Sequence, residues 1–405
     1  MTIRRIGPLD KSFPSSMEGQ DAAALRTPLA EFSTPLLVLD GEALAHNVRT
    51  MAEWVARRGL ELMPHGKTTM APVLWRRQLD AGATGITVAT GWQADVALRA
   101  GVATVQIANA CTDPGLLRRI ASWLAAHPEQ EVVCWVDSAA TLEVLESALP
   151  TGSRLGVLVE FGAAGGRTGC RDEDELVDIA RRAAASETLE LRGVAGYEGA
   201  LAHDRSPAAL AAVRRYCDRL AALVDRVRPY VAGTPWVTAG GSAYFDVVAD
   251  SLSGVQNARA ILRSGAYVVH DDGFYRGISP LDAARSGEAE PLRPAMHAFA
   301  RVVSLPEPGL ALLDAGKRDV PFDEGLPVAL GVADALGGAE RALRAEVTAL
   351  NDQHAFLRWE GPPPVSIGDV VRLGLSHPCT AFDKWRLIPV VDAQGVVTEA
   401  IETFF

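Results

Sequence analysis

The sequence predicts an α/β chain: a (β/α)8 TIM-type barrel with a second, β-rich C-terminal domain. Three observations carry that reading. From residue 36, short apolar runs alternate with longer stretches of helical periodicity. Several of the runs hold β-branched residues without polar alternation, as parallel strands buried on both faces do. Beyond about residue 285 the helical periodicity stops and short strand-like runs follow, separated by Gly, Pro and Asp. At 405 residues the chain is also too long for one ordinary core.

The first part reads as repeated βαβ units. Its apolar runs are LLVLD (36–40), LMPHGK (62–67), GITVAT (85–90), TVQIAN (104–109), EVVCWV (131–136), RLGVLVEF (154–161), LRGVAGYE (191–198), WVTAG (236–240) and AILRSGAYV (260–268). Between them, Leu44, Val48, Met51 and Val55 recur at helical spacing after Asp40, a suitable N-cap, and Gly59 closes the segment. Asp113-Pro114 opens another helix, with Pro where its missing donor costs nothing. Nine runs are one more than a closed eight-stranded barrel needs. We expect LLVLD to lie outside, in the second domain, and the barrel to begin with the strand ending at Lys67. WVTAG and AILRSGAYV then become the seventh and eighth strands, after which such barrels commonly bind phosphate.

The expected boundaries are 41–280 for the barrel and 281–405 for the β-rich domain, with residues 1–40 contributing a strand to the latter. RVVSL, LALLDAG, RAEVTALND, HAFLRWEG, DVVRLGL, WRLIPVVD and GVVTEAIE are its strand-like runs.

Composition excludes several classes of partner. A net charge of -11 argues against a nucleic-acid backbone, which needs a concentrated cationic face. No apolar run is long enough to span a membrane. The first 33 residues are polar and broken by Pro8, Pro14 and Pro28, without the pattern of a secretory signal, so a cytoplasmic protein is expected. The five cysteines are scattered and include no CxxC pair, which argues against a disulfide framework.

Five groups of residues carry chemistry. In Pro64-His65-Gly66-Lys67-Thr68-Thr69 a lysine stands at the carboxyl end of a strand, the catalytic face of a barrel; desolvated there, its amine becomes a nucleophile. A surface lysine at a strand end is the plain alternative, and no GxxxxGK[ST] pattern explains the residue. Gly240-Gly241-Ser242 and Ser264-Gly265-Ala266-Tyr267 are glycine-hydroxyl turns suited to cradling a phosphate, although each alone is also an ordinary turn. Arg167, in Gly-Gly-Arg-Thr-Gly, offers a guanidinium for a phenolate or carboxylate, or is an exposed loop arginine. Tyr197 and His203 follow the next strand, and His203 is a general-base candidate if it faces inward. Finally, His377-Pro378-Cys379 presents an imidazole and a thiol, both good zinc ligands. Two ligands are too few for a structural zinc site and suit an open catalytic one.

In this order, TPLLVLD, PHGKTT, GGRTG, GYEG, GGS, RSGAYV and SHPCTAFDKW resemble the fold-type III pyridoxal-phosphate proteins, and among them the D-serine dehydratase and D-threonine aldolase family. The resemblance implies an alanine-racemase-like barrel, a β-rich second domain and a homodimer acting on a small D-amino acid. It implies that Lys67 carries pyridoxal 5'-phosphate covalently and also acts in catalysis. His65 would then line the cofactor's edge, Arg167 would reach the ring phenolate and Tyr197 would lie by the pyridine ring. Gly240, Gly241, Ser242, Gly265, Ala266 and Tyr267 would form the phosphate cup. His377 and Cys379 would bind Zn2+ or another divalent metal, and His203 would stand beside the substrate hydroxyl. Met63, Thr69 and Met70 depart from the basic residues the family shows around its lysine, and Gln93 replaces a frequent acidic residue.

Dehydration of a D-3-hydroxy amino acid such as D-serine, to a 2-oxo acid and ammonia, is the first expected activity. Cys379 favours it, because the dehydratases resemble this chain in His-x-Cys where aldolases typically show His-x-Asp. Retro-aldol cleavage to glycine and an aldehyde is the alternative, and a non-catalytic cofactor carrier the third.

Overall fold

The computed structural model describes residues 4–287 and 289–405. They divide into two compact units, each built around its own sheet.

One unit, Met51–Lys67 with Trp75–Gly265, is the barrel. Its eight strands run Glu61–Leu62, Ile86–Val88, Thr104–Ala110, Glu131–Val136, Leu155–Phe161, Leu189–Gly196, Trp236–Ala239 and Arg259–Leu262. Every neighbouring pair is parallel, and the eighth strand pairs with the first. A parallel bridge between His65 and Thr87 links the first strand's extension to the second and closes the circle. Met63, Ala108, Val133, Trp135, Leu158, Ala195, Trp236 and Ile261 fill the interior.

The helices start where the sequence supplies caps. Thr90 accepts the amide of Gln93, Asp113 those of Gly115 and Leu116, Asp172 those of Asp174 and Glu175, and Ser206 that of Ala209. Ser138 and Thr141 form a reciprocal capping pair. Each cap stabilises its helix by about 1 kcal/mol. Thr90, Asp113 and Ser138 follow their strands within three residues, whereas longer loops precede Asp172 and Ser206; all of these loops lie at the strands' carboxyl ends, where a barrel holds its site.

Two strands are shorter than the sequence suggests. The run reaching Lys67 is regular only over Glu61–Leu62, and Gly66–Thr68 forms a single 3-10 turn. Gly66 lies so close to the Trp75 indole that a Cβ there would sit 2.7 Å from its nitrogen. The eighth strand stops at Leu262, and Ala266–Val268 is again a 3-10 turn. Between them Gly265 passes over the His65 carbonyl, where a Cβ would lie 2.4 Å from the oxygen. Close backbone approach, invisible in the apolar pattern, ends both strands.

The other unit comprises the chain up to Thr50, Thr68–Leu74 and Ala266–Phe405. Its largely antiparallel sheet contains Leu36–Asp40 as an inner strand, antiparallel to Met296–Glu307 and parallel to Leu387–Val391. Leu36, Leu37 and Leu39 are fully buried there. The C-terminal apolar runs appear as Met296–Glu307, Leu310–Leu313, Glu346–Leu350, Ala355–Arg358, Val370–Gly374, Leu387–Val391 and Val396–Glu402. The sequence reading omits Val328–Ala333, which pairs with Val370–Gly374. Ala329, Gly331 and Ala333 give it almost no β signature. The polar N-terminal stretch also contributes more than its composition suggests: Ile6, Met17, Leu25, Leu29 and Phe32 pack into one core with Leu387 and Val397. Among the described residues no helix is long and apolar enough to cross a membrane.

Gly193 is a point of strict constraint in the barrel. At φ 141° it pairs with Trp236, and a Cβ would lie 2.1 Å from the Trp236 carbonyl oxygen. Gly193→Ala should therefore lower the unfolding free energy by more than about 2 kcal/mol in denaturant titration. An unchanged midpoint would refute the constraint.

Candidate active site

At the strands' carboxyl ends the barrel unit holds a cavity of about 160 Å3. His65 and Lys67 enter it from beyond the first strand, Arg167 from the loop after the fifth, and Tyr197 from the end of the sixth. These four sequence candidates share one cavity. Asn109, Trp135 and Arg263, which sequence reasoning passed over, line it too. The available signal for Arg263 was a cation inside an otherwise apolar strand run.

The cavity is strongly cationic. Arg263 is buried; it donates to the Thr238 hydroxyl at 2.8 Å and the Gly196 carbonyl at 2.6 Å. Burial pushes its guanidinium down to about 10, opposed first by the charge of Glu198. Arg167 lies over the Tyr197 ring, 4.5 Å from its centroid, a cation–π contact. His65 is held far below the ordinary imidazole range by desolvation and then by the charges of Lys67, Arg263 and Arg167. It therefore stays neutral at physiological pH. Tyr197 is fixed by its backbone amide, which donates to the Tyr216 hydroxyl at 3.0 Å; that hydroxyl donates to the Phe161 carbonyl at 2.5 Å. Thr168 donates to the buried Glu160 carboxylate at 3.0 Å. Burial raises that carboxyl, against the Thr168 hydrogen bond and the Arg167 charge.

The glycine turns are more occupied than their sequence suggests. The Gly240 and Gly241 amides donate to the two oxygens of Glu198, at 3.1 and 2.6 Å. The carbonyls of the same two residues accept from the Ser264 hydroxyl, at 3.3 and 3.1 Å. Gly265 is required by the His65 carbonyl beneath it. Ser242 follows the Gly240-Gly241 pair, while Ala266 and Tyr267 are buried in the turn after the eighth strand. His203 is exposed and does not line the cavity. The loop after the sixth strand turns it outward, with Ser206 capping the helix that begins at Pro207.

His377 and Cys379 lie in the β-rich unit, where Pro378 leads into the one-turn helix Cys379–Phe382. His377 Nδ1 is 2.7 Å from Asp323 Oδ2, and the Thr380 hydroxyl donates to Asp323 Oδ1 at 2.7 Å. Cys379 Sγ is 3.3 Å from the Thr68 hydroxyl. Burial lowers the His377 imidazole, but hydrogen bonds and charge from Cys379 and Asp323 outweigh it and raise the group to about 9. Among the described residues no three His, Cys, Asp or Glu side chains are grouped to hold a metal ion.

Comparison with known proteins decides the family. Residues 39–253 match the alanine racemase N-terminal domain and residues 295–391 a serine dehydratase domain. The chain is 30% identical over 378 residues to D-threonine aldolase of an Arthrobacter species, covering 93% of each. It belongs to this family of fold-type III pyridoxal-phosphate-dependent lyases. It is also 26% identical to D-threo-3-hydroxyaspartate dehydratase of a Delftia species, covering 91% of this chain and 97% of that one. The crystal structure of D-threonine aldolase from Filomicrobium marinum superposes with a TM-score of 0.79 at 26% identity, over 94% of this chain and 97% of that one. The lyase thus acts on D-3-hydroxy amino acids, a class its relatives share.

The cavity of this lyase fits the cofactor. It offers an amine for the aldehyde and several cations for an anionic ligand. His65 Nδ1 and Trp135 Nε1 are buried without a hydrogen-bond partner among the described residues, as expected of groups that await a polar ligand.

One more acid beside the His377 loop carries a measurable signature. The lyase's Asp271 is fully buried; its Oδ1 accepts from the amides of Gly273, Tyr275 and Arg276, while Oδ2 has no partner among the described residues. Burial raises its carboxyl from 3.8 to about 7, against those amides and the charge of His377. The folded state thus keeps this proton longer than the unfolded chain does. Asp271 therefore makes stability fall as pH rises from about 4 to 7, by about 4 kcal/mol at most. Asp271→Asn keeps the Oδ1 acceptor and removes the titration. Its stability relative to wild type should climb across that window in denaturant titrations; parallel curves would reject the assignment.

Proposed function

We propose that this lyase removes water from a small D-3-hydroxy amino acid such as D-serine, giving a 2-oxo acid and ammonia. The observation that carries the reading is the His377–Cys379 pair. Its imidazole is hydrogen-bonded to Asp323 through Nδ1 and also bonds the Cys379 side chain. An imidazole oriented by a carboxylate is the usual support of a metal-binding histidine. Two such donors suit an open site, in which His377 and Cys379 would hold zinc or another divalent cation. There the metal would supply Lewis-acid polarisation of the substrate's β-hydroxyl. The exposed position of His203 also favours dehydration, since an aldolase-type base would have to face the substrate hydroxyl.

In this reading the residues 41–280 hold the cofactor, and 281–405, with the strand given by residues 1–40, carry the metal. When bound, pyridoxal phosphate supplies an electron sink for the substrate's Cα. Lys67 Nζ would bind the cofactor's aldehyde and, once exchanged for the substrate amine, take the Cα proton. Arg167, over Tyr197, would hold the ring phenolate, and neutral His65 would line the ring without adding charge. Ser242, Gly265, Ala266 and Tyr267, on the turns after the seventh and eighth strands, would hold the phosphate, with Gly240 and Gly241 shaping the first turn. Action as a cytoplasmic homodimer is part of the same proposal. Exposed Phe322, Leu326 and Val328 on the β-rich unit support the dimer.

Retro-aldol cleavage is the second reading, favoured by the 30% identity to a D-threonine aldolase. Product analysis with D-serine, D-threonine and D-3-hydroxyaspartate, with and without chelator, separates the two. Dehydration predicts 2-oxo acid and ammonia, abolished by chelator and restored by zinc; glycine plus an aldehyde would replace it with the aldolase reading. Undiminished turnover after metal removal would sink the role of His377 and Cys379.

Borohydride reduction should fix the cofactor permanently to the wild-type chain and leave none on Lys67→Ala. Retention by the variant would overturn the lysine assignment.

A further inference from the structure

We propose that Glu198 is a positioning residue for the cofactor's phosphate end, holding the Gly240-Gly241 turn in shape with its buried carboxylate; this rests on the reading that the phosphate lies at that turn. Glu198 is fully buried at the end of the sixth strand, directly after Tyr197. One oxygen takes the Gly240 amide and the other the Gly241 amide. From the opposite side the Ser264 hydroxyl donates its single proton, shared between the two carbonyls. The turn is therefore gripped through all four of its backbone polar groups. Its two amides are already spent on Glu198, so their contribution is to fix the path by which the chain presents Ser242.

A buried anion beside a phosphate site would repel its ligand unless compensated. Arg263 supplies the balance: it is buried, it lines the cavity, and Glu198 is the first charge opposing its desolvation. Gly241 leaves no slack in the arrangement, since a Cβ there would stand 3.2 Å from the Tyr197 ring and 3.3 Å from the Glu198 carboxylate. The carboxylate thus ties the ends of the sixth and seventh strands together, and Ser264 adds that of the eighth.

A packing role and a phosphate-positioning role are separated by comparing pyridoxal phosphate with pyridoxal, which lacks the phosphate. The full-length chain, stripped of cofactor, is titrated with each. Glu198→Gln keeps the side chain's size but can no longer accept from both amides. Its affinity for pyridoxal phosphate should fall about tenfold or more, as expected for loss of a charge-assisted hydrogen bond to a buried donor. Its affinity for pyridoxal should stay at the wild-type value. An equal loss for both ligands makes Glu198 a packing residue and overturns the proposal, as does unchanged or tighter binding of pyridoxal phosphate. Ser242→Ala identifies the source of a failure. If it shows the phosphate-specific loss and Glu198→Gln does not, only the assignment of Glu198 falls. If neither variant does, the phosphate lies elsewhere and both readings fall.

Discussion

Lys67, Arg167 and Arg263 crowd their positive charge around one small cavity at the mouth of the barrel, and the surrounding structure exists largely to make that tolerable. Like charges in a poorly solvated space repel strongly. Relief comes from within: Glu198 opposes the charge of Arg263 and Glu160 that of Arg167, both acids buried. His65, pressed by the same cations, sheds its proton and adds nothing to the load. What remains is a net attraction for an anion with an aldehyde within reach of an amine, which describes pyridoxal phosphate and the amino-acid carboxylate it serves.

Holding these groups in place falls to the strand ends. Tyr216, on the long helix Pro207–Val227, joins the ends of the fifth and sixth strands through one hydroxyl. Ser264 and Glu198 join those of the sixth to eighth. Each of these contacts uses a side chain to satisfy a backbone group that the sheet ladder no longer reaches, so a rigid mouth and an absence of wasted polar groups are the same achievement.

Much of this was legible in the sequence, and the failures share a cause. The barrel and the β-rich sheet follow from periodicity, because parallel strands buried on both faces cannot alternate. Lys67, His65, Arg167 and Tyr197 could be singled out because each sits just past an apolar run, where a barrel's loops gather. Arg263 and Glu198 were missed because each is a charge just past a strand end, where it reads as a solvated edge. Only the fold reveals that they face each other across three strand ends. Gly240 and Gly241 had the composition of a phosphate cradle, yet their amides bind an acid located some forty residues earlier, a pairing no local pattern encodes. His203 is the opposite case: the spacing was suggestive, but its loop leaves the side chain exposed, and the direction of a loop is not written in spacing. The short strand Val328–Ala333 escaped because its alanines and glycine are recruited by a neighbour rather than by their own preference.

The strand Leu36–Asp40 lies between Met296–Glu307 and Leu387–Val391. A ribosome makes the middle strand of this sheet hundreds of residues before either of its flanks. At synthesis rates of about 5–20 residues per second, the nascent chain carries three leucines destined for full burial with no partner for many seconds. In the barrel only the first strand waits so long, for the eighth; each of the others pairs with the next strand in the sequence. Completion of this sheet thus waits for Leu387–Val391, and a translation product interrupted before that strand would leave an adhesive, unpaired edge.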